Sequence, residues 1–237
     1  MIKRILCAVA IIFTLFFFTG CKKGEKQNKS DICTSYVSSP EAKAQLDNSS
    51  AGVYKGIITG SSGTLVFYIG NGNSEIKALI TFDGKSAVLT NTSLSAWNPG
   101  EAVNAAVFTG TLDGKQIEAK LTVGAGGQNP FVELTIPGHT INVAMFKETS
   151  TVLVKSFEGT YSGDEKGTLN IVMAGDEYTV LAKGQVLTRR TKLIDGKIEF
   201  TSSGTTVNGS FISEDLLRGQ WSNNDGDKGT WEAKRTL

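Results

Sequence analysis

The chain has 237 residues, and its 24 Lys and Arg nearly balance its 23 Asp and Glu, for a net charge of +1. Removing residues 1–20, which hold Lys3 and Arg4 and no acid, leaves a net charge near −1. We therefore expect no nucleic-acid partner, because the chain lacks a broad basic field. An apolar fraction of 40% excludes a disordered chain, and a single His argues against His-based metal sites and most acid–base triads.

The N-terminus is typical of a secretory signal. Residues 1–4 are basic, and the next 14 residues, 5–18, are uncharged. At 1.5 Å per residue this run is too short to cross a hydrocarbon core of about 30 Å comfortably. Its length and flanking residues indicate the apolar region of a signal peptide, to which we assign residues 1–20.

The sequence Phe18-Thr19-Gly20-Cys21 resembles the lipobox of bacterial lipoproteins, although that family usually has Leu where Phe18 stands. The resemblance implies that Cys21 receives a diacylglyceryl group and anchors the mature chain to a membrane through lipid. Lys22 differs from the Asp that retains such lipoproteins at the inner membrane. The expected location is therefore the outer membrane of a Gram-negative bacterium, with an ordinary signal peptide as the alternative.

Residues 21–51 are predicted to form a tether with one short helix. Positions 22–31 are polar and lack apolar periodicity, as a flexible linker does. Ser39 as N-cap, Pro40 in the first helical position and Glu41 in the first turn predict a helix through residue 46.

From residue 52 to the end, the chain reads as short strands joined by tight turns. It carries 25 glycines in 186 residues, about twice the average usage, between runs rich in Val, Ile, Thr, Phe and Tyr. Ile117, Ala119, Leu121 and Val123 alternate with polar residues, which indicates antiparallel strands with one wet face. Sixteen strands are predicted, near residues 52–59, 64–70, 75–82, 85–92, 104–112, 115–123, 131–136, 140–147, 158–163, 168–174, 177–183, 186–194, 197–202, 206–212, 216–222 and 229–235.

Asp-Gly pairs between alternating runs predict hairpins with two-residue type I′ turns. A turn at Asp113-Gly114 sets Phe108 opposite Ala119, so that the apolar residues of both strands share one face. A turn at 83–84 has the same effect on its own two strands.

The last hairpin requires a different turn. Polar neighbours alternate with Trp221 and Trp231, so both indoles should face the core together. A two-residue turn at 225–226 would turn one of them outward. We predict instead a three-residue loop, 224–226, with Gly226 in the left-handed region, which buries both indoles. The resulting cross-strand pairs are Trp221 with Gly229 and Gly219 with Trp231.

The two halves of this region repeat each other. Residues 52–56 lead to Gly-Thr-Leu at 63–65, as residues 159–163 lead to Gly-Thr-Leu at 167–169. Eight short antiparallel strands in sequence order can close into an up-and-down barrel, which removes exposed edges. We predict an all-β fold of two tandem, barrel-like antiparallel meanders of about eight strands each, residues 52–148 and 149–237. A single β-sandwich is the alternative.

The Gly-x-aromatic first strand and the eight meandering strands resemble the calycin-like barrels, the lipocalin and avidin group. The resemblance implies a closed barrel over most of residues 52–237. Tyr54 and Tyr161 stand where a lipocalin has Trp, so no ligand site is carried over from that group.

No recognised catalytic or cofactor motif occurs, whether His-Glu-x-x-His, Gly-x-Ser-x-Gly, a P-loop or Cys-x-x-Cys. We therefore predict no catalytic residue, no cofactor and no metal site, and we interpret the polar run 223–227 as a hairpin tip. Trp97, in the loop 94–103, is a candidate partner contact, because aromatic anchors are favoured at interfaces. Its alternative role is to fold back and close a barrel end.

These features favour a lipid-anchored, non-catalytic envelope protein that binds a protein partner or a small ligand. Two alternatives remain open: a carboxylate-based hydrolase, for which scattered acids such as Glu133 and Glu199 would have to pair, and an inhibitor of an envelope or secreted hydrolase. The interior of each barrel should distinguish them. Converging carboxylates would favour an enzyme, an apolar mouth a ligand, and a filled interior with an exposed Trp97 a protein partner.

Overall fold

The computed structural model describes residues 37–59, 62–72 and 75–237. The strands occur near the positions that the alternation of the sequence predicts. In chain order they are β1 Gly52–Ile58, β2 Gly63–Ile69, β3 Ile76–Phe82, β4 Lys85–Asn91, β5 Val103–Leu112, β6 Lys115–Val123, β7 Phe131–Thr135, β8 Val143–Glu148, β9 Val154–Gly163, β10 Gly167–Ala174, β11 Glu177–Ala182, β12 Gln185–Lys192, β13 Ile198–Ser202, β14 Thr205–Ser213, β15 Leu216–Asn223 and β16 Lys228–Arg235.

The strands form two antiparallel eight-stranded sheets. The first has the order β7-β6-β5-β4-β3-β2-β1-β8 and the second β12-β11-β10-β9-β16-β15-β14-β13. In each sheet the first strand of the half pairs with the last, β1 with β8 and β9 with β16, so each sheet curls into a nearly closed barrel. We call them barrel 1 (β1–β8) and barrel 2 (β9–β16). The predicted all-β pair of meanders is confirmed, and the alternative of a single β-sandwich is wrong.

The turn chemistry of the sequence determines the hairpin registers. Asp113 and Gly114 have φ of 49° and 76°, as a type I′ turn requires, and Phe108 lies opposite Ala119. The turn at 83–84 is of the same kind, and it sets Ile80 opposite Ala87. Both predictions are confirmed.

The odd loop predicted for the last hairpin is also present. Trp221 pairs with Gly229 and Trp231 with Gly219, around a loop of residues 224–226 in which Gly226 has φ of 93°. The side chain of Asn223 closes the loop, because its Oδ1 accepts the main-chain N–H groups of residues 225 and 227. The polar run is therefore a self-capped hairpin tip, as predicted.

The helix predicted after Ser39 is wrong. The structure has only one 3₁₀ turn there, Ala44–Leu46, whose N-cap Lys43 makes no side-chain cap. Tertiary contacts take the groups that the first helical turn would use. The main-chain N–H of Lys43, which would close the first turn on Ser39, donates to Asn71 Oδ1 at 3.3 Å, and Asn71 Nδ2 donates to the carbonyl oxygen of Glu41 at 2.9 Å. Among the described residues, no helix is long and apolar enough to cross a bilayer.

Both barrels belong to one compact unit, and an apolar layer joins them. Ile57 and Phe146 from the outer face of barrel 1 pack with Val172 and Leu181 from barrel 2 in one buried cluster. Polar links border this cluster. Asn170 Nδ2 donates to the carbonyl oxygen of Ile58, and Asn142 Nδ2 donates to that of Gly184, both at 2.8 Å.

A buried ion pair lies at the chain crossing between the barrels. Lys55 Nζ lies 2.8 Å from Glu148 Oε2 and 2.8 Å from Glu41 Oε2. Glu148 is fully buried and also accepts the N–H groups of Glu41 and Val154. Burial of a charge without partners is costly, and here each carboxylate oxygen of Glu148 has a donor. The pair thereby links residues 37–51, which precede β1 and which we call the N-terminal strap, to barrel 1 and to the first residue of barrel 2.

Candidate ligand-binding site

The interior of barrel 1 is filled by its own side chains. Phe67 and Phe108 meet edge to face inside it, with ring centroids 4.9 Å apart, and both are fully buried. Tyr54 is equally buried, and its hydroxyl donates to the carbonyl oxygen of Ser50 at 2.7 Å. These inward-facing residues form one continuous apolar cluster, as expected of a packed core.

Barrel 2 has a cavity of about 220 Å³ at one end, which we call the mouth cavity. In an up-and-down barrel alternate connections lie at the same end. Four connections of barrel 2 lie at the end that has the cavity: residues 164–166, 183–184, 203–204 and 224–227. The lining residues are Tyr161, Glu165, Leu169, Ala182, Lys183, Gln185, Leu187, Ser202, Ser203, Thr205, Val207, Trp221 and Trp231.

The two indoles give the cavity an aromatic wall. Trp221 and Trp231 are 7% and 3% exposed and face inward together, as predicted. A Cβ added to Gly219 would lie 2.5 Å from Trp231 Nε1, and one added to Gly229 would lie 2.5 Å from Trp221 Nε1. Each ring therefore requires a glycine on the strand beside it.

The indole N–H groups are not available to a ligand. Trp221 Nε1 donates to the carbonyl oxygen of Ser162 at 3.1 Å, and Trp231 Nε1 donates to that of Asn208 at 3.0 Å. Tyr161 packs edge to face on Trp221, with ring centroids 6.0 Å apart. This wall therefore offers apolar ring surface and no indole donor.

A charged pair lies on the rim of the cavity. Lys183 lies at the tip of the β11–β12 hairpin with φ of 52°, and its ammonium group bonds the carboxylate of Glu165. The same ammonium lies 5.9 Å from the ring centroid of Tyr161. The hydrogen bond that Lys183 donates to Glu165 raises the pKa of Lys183, so Lys183 remains charged at neutral pH. Both side chains are about half exposed, and exposed pairs of this kind exchange partners at little cost.

Four neutral polar side chains complete the rim. In the part of the chain that the structure describes, the side chains of Gln185, Ser202, Ser203 and Thr205 make no hydrogen bond to protein, although all four line the cavity. An aromatic wall with a few uncommitted polar groups at its rim is the usual composition of a small-molecule site.

The sequence predicts correctly that both Trp residues are buried, but it does not predict the cavity that they line. The available signal was the arrangement of the turns. Lys183-Gly184 and Ser203-Gly204 are two-residue turns, and an up-and-down barrel places both at the end where Glu165 lies. No local sequence pattern predicts the size of the space that remains between these turns.

The candidate partner contact Trp97 is hydrogen-bonded within its own loop. Its indole Nε1 donates to the carbonyl oxygen of Glu101 at 3.1 Å, and its partly buried ring packs against the core of barrel 1. The side chain of Asn98 also bonds Glu101. Its role as a partner contact remains a prediction. The other predicted site residue, Cys21, lies outside the described residues.

The described residues contain no cluster of three or more His, Cys, Asp or Glu side chains that could hold a metal ion. His139 contacts the ring of Phe82 edge to face, at 5.0 Å between centroids, and its main-chain N–H closes a turn on Ile136. No known protein family, curated protein or solved structure matches the chain.

Proposed function

We propose that the protein is a non-catalytic, lipid-anchored binding protein of the bacterial envelope, and that the mouth cavity of barrel 2 holds a small ligand. The observation that carries the proposal is the cavity itself, with the aromatic wall formed by Trp221 and Trp231 and the rim formed by Lys183 and Glu165. The proposed anchor is lipid on Cys21. It is supported by the lipobox-like sequence alone.

The volume of the cavity restricts the ligand. An apolar cavity of about 150 Å³ accommodates benzene. At about 220 Å³, the mouth cavity accommodates one ring with a few substituents. The ring would lie against the indoles, and its polar substituents would meet the rim hydroxyls, the amide of Gln185 and the two charges.

The composition of the cavity favours binding over the alternative of a carboxylate-based hydrolase. Glycoside hydrolysis generally requires two carboxyl groups about 5–10 Å apart. Among the described residues that line the mouth cavity, Glu165 is the single acid, and it is already paired with Lys183.

The binding half of the proposal is tested with three compounds that share one ring and differ in charge: 4-fluorobenzoate, 4-fluorobenzylamine and 4-fluorobenzyl alcohol. Fluorine NMR of each compound with the full-length protein should show saturable binding of at least one. Ala182→Leu places a larger side chain on the wall of the cavity and reduces its volume, so it should weaken that binding at least about tenfold. Val88→Leu is the matched control, because Val88 is 56% exposed on barrel 1, and it should leave binding unchanged.

Two results would contradict this half of the proposal. One is that none of the three compounds binds saturably. The other is equal affinity in Ala182→Leu and the unaltered protein, with circular dichroism confirming that the variant is folded.

The anchoring half is tested separately in the native bacterium. Labelled fatty acid should be incorporated into the protein, and Cys21→Ala should move it from the membrane to the aqueous fraction. Equal membrane retention of Cys21→Ala would remove the anchor from the proposal without affecting the mouth cavity.

A further inference from the structure

Barrel 1 is open along one seam. Its sheet ends at β7 on one side and β8 on the other, and no hydrogen bond of the described residues joins these two strands. A groove of about 660 Å³ lies along the seam. Backbone N–H and C=O groups at a strand edge are strong hydrogen-bonding groups, and such edges recruit further strands.

The strands of barrel 2 that are equivalent to β7 and β8 are β15 and β16, and these two strands pair along their length. The sheet of barrel 2 ends instead at β12 and β13, and this seam is bridged. The hydroxyl of Tyr178 donates to the carbonyl oxygen of Glu199 at 3.0 Å and accepts the N–H of the same residue at 3.2 Å. Ile194 and Lys197 add a bridge of two main-chain hydrogen bonds. The open seam is therefore a property of barrel 1 and not of the fold.

The groove has an apolar floor and a distinct outer wall. Leu134, Ile141 and Val143 line it and pack against the core of barrel 1, and Phe131, 54% exposed, stands at its edge. The outer wall comes from barrel 2, where Arg190 lies beside Phe146 of β8. An occupant of the groove thus meets apolar side chains on its inner face and a cation on its outer face.

Arg190 is held in position with donors to spare. Its backbone φ is 44°, in the left-handed region, and its main-chain N–H donates to Thr179 Oγ1. The guanidinium carbon lies 5.0 Å from the ring centroid of Phe146. The nearest carboxylate in the described residues is that of Glu177 at 3.9 Å, a distance too long for a hydrogen bond.

We propose that this seam binds an extended segment of a partner protein, which adds to the edge of β7 as a further strand. The segment is apolar at alternate positions, which face the barrel, and carries an Asp or Glu on the other face, where it pairs with Arg190. β7 has five residues, so about five residues of the partner, roughly 17 Å of extended chain, match its length.

A second copy of the chain fits the seam less well. Symmetric antiparallel pairing of β7 with the β7 of another copy, centred on the five-residue strand, places Glu133 opposite Glu133. Like charges directly opposite each other destabilise a strand pair. Charge therefore favours a different partner chain, and one without an acid opposite Glu133.

The experiment uses the full-length protein and three capped synthetic pentapeptides: Glu-Val-Thr-Val-Thr, its Lys-Val-Thr-Val-Thr counterpart, and Glu-Pro-Thr-Pro-Thr, which lacks two backbone donors. Fluorescence anisotropy should rank the Glu peptide above the Lys peptide by roughly fivefold, the value of one exposed charge pair, and show no binding of the Pro peptide. Amide hydrogen exchange should show protection appearing in residues 131–135 when the Glu peptide is bound.

Two substitutions locate the site. Arg190→Gln should equalise the Glu and Lys peptides, and Phe131→Thr should weaken both. Val88→Thr, at an equally exposed apolar position of β4, should change neither. The proposal is overturned if the amides of residues 131–135 gain no protection at saturating peptide, or if the Glu preference survives Arg190→Gln. It is also overturned if analytical ultracentrifugation shows a dimer that protects these amides without peptide, because the occupant is then a second copy.

Discussion

The two barrels share a topology and differ in where they are open. Barrel 1 is filled inside and open along the β7–β8 seam, whereas barrel 2 is bridged at its seam by Tyr178 and open at its mouth. Both sheets pair consecutive strands antiparallel and join the first strand of the half to the last, but the neighbours left unpaired are β7 and β8 in barrel 1 and β12 and β13 in barrel 2. The difference shows that this architecture provides two distinct places for a site, and that individual side chains decide which is used.

The size of the aromatic residues and the place where they pack explain the difference. In barrel 1, Phe67 and Phe108 meet across the interior. In barrel 2 the two indoles lie beside glycines of the neighbouring strands, and their N–H groups bond backbone carbonyls. Large rings held against the wall of a barrel leave space at its end, and the rim of barrel 2 has small or polar residues there.

The largest effect is expected from truncating an interior aromatic residue in each barrel. Trp231→Ala and Phe108→Ala should each lower the free energy of unfolding by about 3–5 kcal/mol, because each empties a packed site. Only Trp231→Ala should also remove binding of the fluorinated probes, since Trp231 lines the mouth cavity. Urea unfolding and fluorine NMR together measure both effects. If Phe108→Ala abolishes probe binding while the protein stays folded, the barrels are not functionally separate.

A somewhat smaller effect is expected at the junction. Glu148→Gln removes the buried partner of Lys55 and leaves only Glu41, whose side chain is 33% exposed, so it should cost about 3 kcal/mol. Arg218→Gln, which breaks the exposed pair with Glu232, should cost less than about 1 kcal/mol and serves as control. In Glu148→Gln the chemical unfolding transitions of the two barrels should no longer coincide. A loss of stability smaller than that of the control would show that the pair does not stabilise the junction.

A third substitution sharpens the assignment of barrel 1. Trp97→Ala should cost about 1 kcal/mol, as for a partly buried side chain at the barrel end, and should leave probe binding at the mouth of barrel 2 unchanged. Thermal and urea unfolding measure the cost. A loss above about 3 kcal/mol would make Trp97 part of the core and remove it as a partner contact.

The smallest effect concerns acid stability at the strap that precedes β1. Ser150 donates to Asp47 through its hydroxyl, at 2.7 Å, and through its main-chain N–H, at 2.8 Å, and these bonds lower the pKa of Asp47. A carboxyl with a lowered pKa stabilises the fold above its unfolded pKa, near 4, and this contribution is lost as the pH falls through the lower folded value. Ser150→Ala should therefore melt below the unaltered protein at pH 6, and the difference should shrink at pH 3. A difference that does not change with pH would contradict this account.

How far the sequence determines the structure depends on the range of the interaction. The strand positions, the type I′ turns at 83–84 and 113–114 and the three-residue loop at 224–226 follow from neighbouring residues, because a period of two and a positive φ are local requirements. The helix expected after Ser39 fails for the opposite reason. Its first turn had suitable residues, but Asn71, 28 positions beyond Lys43, accepts the Lys43 N–H and donates to the Glu41 carbonyl oxygen, and a helix would use both groups.

The sequence by itself determined the all-β class, the two eight-stranded meanders, the register of the Trp hairpin and the inward direction of both indoles. Only the tertiary structure decided that barrel 1 is filled while barrel 2 keeps a cavity, and that Tyr178 bridges one seam while the other stays open. It also decided that Arg190 of barrel 2 lies against Phe146 of barrel 1. These features depend on the summed volumes of side chains from strands far apart in the chain, and on how two curled sheets lie against each other, and no local pattern contains either.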